Sequence, residues 1–140
     1  MRYLALDYGL KRLGAALCDA QETIVSPLCR IQVESGNQLK LFAQILQIVQ
    51  EHQVEAVVLG LPLNMDDSEG DQAQRTRKFA ADLAHALNLP VHLQDERLSS
   101  SAADEKLALS GLSRKKRRQK RDMLAACDIL EEFLLREPQK

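Results

Sequence analysis

The chain has 140 residues, 45% of them hydrophobic, and a formal net charge of −1. That length suits one core and argues against the two-lobed phosphotransferases that close paired domains around a nucleotide. No run approaches the roughly 20 apolar residues of a membrane span, and Met1-Arg2-Tyr3-Leu4 lacks a signal peptide's pattern, so a cytoplasmic protein is expected. The near-zero charge conceals a polarity. Residues 114–121 hold seven of the 19 Lys and Arg and no acid, leaving an acidic body with one concentrated basic stretch. Such a distribution suits a phosphate backbone, although a solvated surface run would look the same. Cys18, Cys29 and Cys127 are odd in number and far apart, and read as reduced, packed thiols.

Residues 2–7 alternate as a strand that ends in Asp7, turns through Gly9 to Lys11, and returns over Leu13 to Leu17. Thr23 to Val33 reads as a third strand, interrupted near Pro27, which completes an antiparallel meander. The apolar period then lengthens. Leu39, Phe42, Ile45, Leu46 and Val49 mark a helix from about Gly36 to His52, and residues 54–60 form a buried strand. Ser68 with Asp71 resembles a capping box ahead of a second helix, whose apolar face is Phe79, Ala80, Leu83, Ala84 and Leu87; Asn88 and Pro90 end it. A fifth strand runs from Val91 to Gln94 and breaks at Asp95-Glu96-Arg97. A third helix, capped by Ser99 or Ser100, runs through Leu109, and the basic run leads into a last helix from about Arg121 to Arg136.

The implied fold is α/β: a five-stranded mixed sheet, with a three-strand meander plus two parallel strands, flanked by helices. Helical crossovers make strands one, four and five parallel, so their carboxyl ends share one edge. That edge carries Asp7, the Gly60-Leu61-Pro62-Leu63-Asn64 loop and the pair Asp95 and Glu96. Open α/β sheets bind ligands there. A carboxylate at the end of a buried strand is costly unless it meets a cation or donors, which points to a metal ligand; alternatively Asp7 caps its own turn. Asp122, at the start of the last helix, can join the cluster or merely complement the helix dipole. Two divalent ions held by such acids could activate water and stabilise a leaving oxygen. Asp128, about 600° around the helix from Asp122, is read as structural or exposed.

Four stretches carry a family resemblance: residues 6–14 (LDYGLKRLG), 60–66 (GLPLNMD), 95–99 (DERLS) and 122–130 (DMLAACDIL). Together they are similar to the motifs of the YqgF (RuvX-like) family, bacterial proteins with a ribonuclease-H-like fold. Its members are described as Holliday-junction-resolvase-like and as nucleases for the 5′ end of pre-16S rRNA. The resemblance covers nearly the whole chain and implies a single ribonuclease-H-like nuclease domain over 1–140. It implies an endonuclease dependent on Mg²⁺ or Mn²⁺, with Asp7, the pair Asp95 and Glu96, and Asp122 as its acids. Glu96 is favoured as metal ligand with Asp7 and Asp122, and Asp95 is a close second: strand alternation puts Asp95 on the face of Val91 and Leu93, while Glu96 reaches further and, by the resemblance, corresponds better to the acid of related resolvases.

Lys11, Arg12, Asn64, Arg97 and the run Arg114, Lys115, Lys116, Arg117 and Arg118 are candidate nucleic-acid contacts. Each has a plainer reading: hairpin flanks for Lys11 and Arg12, a turn for Asn64, and a charge partner of the acids for Arg97. Arg75, Arg77 and Lys78 can extend the basic surface or face solvent. Two Tyr, three Phe and no Trp leave little for base stacking, so recognition by shape and backbone is expected. The partners expected are pre-rRNA or branched DNA and ribosomal precursor particles, with no membrane, for a monomer or weak homodimer. Resolution of branched DNA and non-catalytic nucleic-acid binding are the competing readings.

Overall fold

The structure, a computed structural model, describes residues 1–34, 36–62, 68–95 and 114–136, leaving aside the side chains of 114–120 and 122. A five-stranded sheet has the order β3-β2-β1-β4-β5. Its strands are β1 (Tyr3–Tyr8), β2 (Arg12–Cys18), β3 (Val25–Gln32), β4 (Ala56–Leu61) and β5 (Val91–Asp95). The pairs β1–β2 and β2–β3 are antiparallel, whereas β1–β4 and β4–β5 are parallel. Strands one, four and five therefore end at one edge, as the crossover rule predicts.

Gly9 is required by the first hairpin. Its N–H donates to the Arg12 carbonyl at 2.9 Å, and a Cβ there would stand 2.9 Å from that same oxygen. The second hairpin is organised by Asp19, whose carboxylate accepts from the N–H groups of Thr23 (2.7 Å) and Ile24 (3.0 Å) and from the Thr23 hydroxyl (2.7 Å). These bonds hold Glu22 at φ 60°, a conformation that L residues otherwise avoid.

Helices cover both faces. On one side, α1 (Gln38–His52) and α2 (Asp71–Leu87) pack Phe42, Ile45, Phe79 and Leu83 against Leu4, Leu6, Leu13, Val57 and Leu59. On the other, the last helix, α3 (Arg114–Arg136), packs Ala126, Cys127, Ile129 and Leu130 against Tyr3, Ala5, Ala16 and Val58. Alternation along the strands accounts for this division: even-numbered residues of β1 serve one core, odd-numbered ones the other.

Several expected boundaries shift. The Asn37 side chain caps α1, accepting from the Lys40 N–H, and Gln53 closes the helix in the left-handed conformation. Helix α2 begins after Gly70 with no side-chain cap, so the Ser68–Asp71 capping box does not form, but Asn88 ends it as expected. The last helix starts at Arg114 rather than near Arg121. Arg, Lys and Gln are good helix formers, and no Gly or Pro interrupts residues 114–121, so the helix continues past its buried stripe. The expected helix over 99–109 lies outside the described residues.

Candidate active site

Asp7 sits next to last in the central strand β1, partly exposed, on the face covered by α3. It pairs with Gly14 in β2. On its other side runs Gly60, which follows Leu59, the partner of Leu6, and pairs with Gln94. Gly14 pairs in turn with Arg30. Across the sheet, one row on the α3 face therefore reads Arg30, Gly14, Asp7, Gly60, Gln94. A glycine stands on each side of the carboxylate, so neither neighbouring strand puts a side chain beside it.

Helix α3 descends over this face from the carboxyl edge. Phe133 meets Tyr3, at the start of β1, with ring centroids 5.1 Å apart. Ala126, Ile129 and Leu130 are fully covered in one cluster with Ala5, Ala16 and Val58. Were α3 parallel to β1, those earlier residues would lie below the sheet and be exposed. From Tyr3 to Asp7 is about 13 Å of strand, which about nine helical residues match. Counting back from Phe133 brings the helix to the level of Asp7 near residue 124. Position 122, one turn before Ala126, thus belongs to the carboxyl edge. Asp128 is 7% exposed, so of its two expected readings the structural one holds.

Asp95 is placed differently from Asp7. It pairs with Leu61 and alternates with Leu93 and Val91, which pack in the α1/α2 core, whereas Gln94 and His92 share the α3 face. His92 shows this directly, its ring lying 6.3 Å from Tyr3 and 5.2 Å from Phe133. Asp7 and Asp95 therefore project from opposite faces of the sheet, and the structure does not bring them together. Glu96, Arg97 and Asn64 lie outside the described residues, as do the side chains of Asp122 and of Arg114, Lys115, Lys116, Arg117 and Arg118. Among the described residues, no three His, Cys, Asp or Glu assemble into a metal-binding group. What is described fits a hard divalent cation in kind: an acidic oxygen donor with a glycine in each neighbouring strand, and an adjacent edge where further acids can converge.

Of the cationic candidates, Lys11 is exposed at the hairpin and Arg12 partly so. The hairpin reading also holds for their backbone, since the carbonyls of Arg12 and Lys11 accept from Gly9 and Val33 at 2.9 and 2.8 Å. On α2, Arg77 is held by Glu69 through two bonds of 2.6 and 2.7 Å, and Lys78 pairs with Asp82 at 3.4 Å. That pairing holds the Glu69 carboxyl below its ordinary range, and it leaves both cations engaged within the helix surface. The three cysteines are free thiols, and burial pushes Cys18 and Cys29 up. Two residues in the Asp7 row had no motif to announce them: Gln94, 6% exposed, and Arg30.

A family model described as RuvX, Holliday junction resolvase, matches residues 1–136. The chain belongs to the RuvX family. Among its relatives is a protein of Maridesulfovibrio salexigens named "Putative pre-16S rRNA nuclease", 38% identical over 136 residues, which cover 97% of this chain and 99% of that one. A relative of the same name from Chloroflexus aurantiacus is 42% identical over 131 residues, covering 94% and 84%. Among solved structures, T. thermophilus RuvC in complex with a Holliday junction superposes with a TM-score of 0.59. It is 16% identical and matched over 97% of this chain and 96% of that one. The RuvX chain thus has the ribonuclease-H-like fold anticipated from its motifs, and the sheet order and strand directions agree with it.

Proposed function

We propose that this RuvX-family chain is a divalent-metal-dependent endonuclease that cuts phosphodiester bonds in the 5′-end maturation of pre-16S rRNA. The observation that carries this reading is Asp7: an acid at the carboxyl end of the central strand, flanked by glycines, beneath the incoming end of α3. Relatives about 40% identical over nearly the full chain carry the pre-16S rRNA nuclease name, which favours RNA as substrate.

Asp7, Glu96 and Asp122 would hold Mg²⁺ or Mn²⁺, which supplies water activation and stabilisation of the leaving oxygen. Glu96 is chosen over Asp95 because Asp95 belongs to the opposite face of the sheet. Lys11 and Arg12 grip substrate phosphate from the first hairpin, Asn64 orients the scissile phosphate, and Arg97 balances the acids. The run Arg114 to Arg118 occupies the first turns of α3, on the side of Asp7 away from the core. There it tracks the nucleic-acid backbone, in a cytoplasmic protein of one domain that serves ribosomal precursor particles as a monomer or weak homodimer.

A second reading, resolution of branched DNA by a dimer, is favoured by the family description as Holliday junction resolvase. One experiment separates the two. End-labelled pre-16S leader RNA and a four-way DNA junction are incubated with Mn²⁺ or Mg²⁺ and either wild type or Asp7→Asn. RNA cut by wild type and spared by the variant supports the proposal. Symmetric junction cutting with the same dependence supports the resolvase, and binding without cutting leaves a non-catalytic factor.

A further inference from the structure

Arg30 lies on the face of Asp7 for a reason that its position in the sequence conceals. In β3, Val25 packs in the α3-side core and pairs with Cys18, whereas Leu28 and Cys29 both turn to the α1/α2 core. The register shift at Ala15/Ala16 makes this possible: Ala15 pairs with Cys29 and Ala16 with Pro27, so Leu28 is the extra residue. Beyond the bulge the parity of the strand is reversed. Arg30, five residues after Val25, returns to the same face as Val25 and pairs with Gly14.

Gly14 has no side chain, and the next strand on that row carries Asp7. Neighbouring strands lie about 4.8 Å apart, so the backbones of Arg30 and Asp7 are about 10 Å apart, with a glycine in the strand between them. Arg12 shares the face as well, two residues before Gly14 in β2 and diagonal to Arg30 across the pair. Both arginines are partly exposed. Two arginines thus share the Asp7 face around the Gly14 position. A guanidinium suits the two oxygens of a phosphate in a bidentate contact.

We propose that Arg30 is a substrate-binding residue, gripping with Arg12 a backbone phosphate of the nucleic acid next to the bond cut at Asp7. This deepens the nuclease reading and rests on it. Binding of the pre-16S leader and of the four-way junction is measured between 50 and 200 mM salt (roughly the range over which counterion release shows most clearly). The Asp7→Asn protein is compared with Asp7→Asn/Arg30→Gln and Asp7→Asn/Arg30→Lys. Arg30→Gln is expected to weaken binding about tenfold and to lower the salt slope by about 0.7 on single-stranded RNA. Arg30→Lys keeps the slope and loses part of the affinity with the bidentate contact. In the cutting-competent protein, the loss from Arg30→Gln falls on KM rather than kcat.

An unchanged slope in the Gln variant overturns the proposal, as does a slope lost in the Lys variant, which also decides the matter if Arg30→Gln melts early. A fall in kcat at constant KM overturns it too, since Arg30 would then act on the carboxylate and not on the substrate. Substrate bound but uncut refutes the nuclease reading while the salt slope still judges Arg30. Binding of neither substrate refutes both.

Discussion

Asp95 and Asp7 differ by face, and that difference yields a quantitative expectation. The rows of β1 and β5 are separated by β4, so the two backbones stand about 10 Å apart, and the side chains leave opposite sides of the sheet. At that distance, removing a unit charge changes the energy of a charge at Asp7 by about 0.4 kcal/mol in water and about 1.7 kcal/mol at an effective dielectric of 20. Asp95→Asn is therefore expected to slow cleavage by about two- to twentyfold at most. Asp7→Asn removes a group at the reacting centre, where loss of one preorganised contact typically costs about a hundred- to a thousandfold. Glu96→Gln is expected to behave like Asp7→Asn. The assay is single-turnover cleavage of labelled pre-16S leader RNA with saturating Mn²⁺, each variant first matched to wild type by circular dichroism and melting temperature. If a folded Asp95→Asn lost as much as Asp7→Asn while Glu96→Gln retained activity, the assignment by strand alternation would be wrong.

Three further expectations follow from the same geometry. Changing Arg114 to Arg118 to Gln lowers the salt slope of single-strand binding by about 3.5 and weakens all substrates alike; an unchanged slope would make the run a bystander. Phe79→Ala removes a buried ring stacked on Tyr8, with centroids 3.9 Å apart and planes 5° off parallel. It is expected to cost about 3–5 kcal/mol and roughly 10–15 °C in melting temperature, so a loss under 3 °C would show that the stack contributes little. The backbone N–H of Ile24 and the Thr23 hydroxyl hold the Asp19 carboxyl at about 2. A depressed carboxyl stabilises the fold above its unfolded value near 4 and loses that contribution as the pH falls towards 2. Asp19→Ala should therefore lower the melting temperature at neutral pH and flatten its decline between pH 4 and 2; parallel curves for the two proteins would contradict this.

Local chemistry in the sequence was enough for the strand ending at Asp7, the hairpin turning on Gly9, the apolar periods of α1 and α2, and the left-handed stop at Asn88. Each depends on residues within a turn or two of one another, so composition and spacing report it directly. The acidic pair at 95 and 96 was also visible, together with the alternation that sets Asp95 beside Val91 and Leu93. What no local pattern could supply is how those faces meet. That Val91 and Leu93 belong to the core opposite Asp7 follows from the pairing of β5 with β4 and of β4 with β1, partners more than 30 residues apart. The start of α3 was misplaced because apolar periodicity marks where a helix is buried, whereas helix-forming basic residues continue it beyond the core. Arg30 is the clearest case. Counting from Val25 along an uninterrupted strand puts it on the wrong face, and only the extra residue accommodated opposite Ala15 and Ala16 turns it back toward Asp7. A bulge is a property of two paired strands, so tertiary pairing alone could decide it.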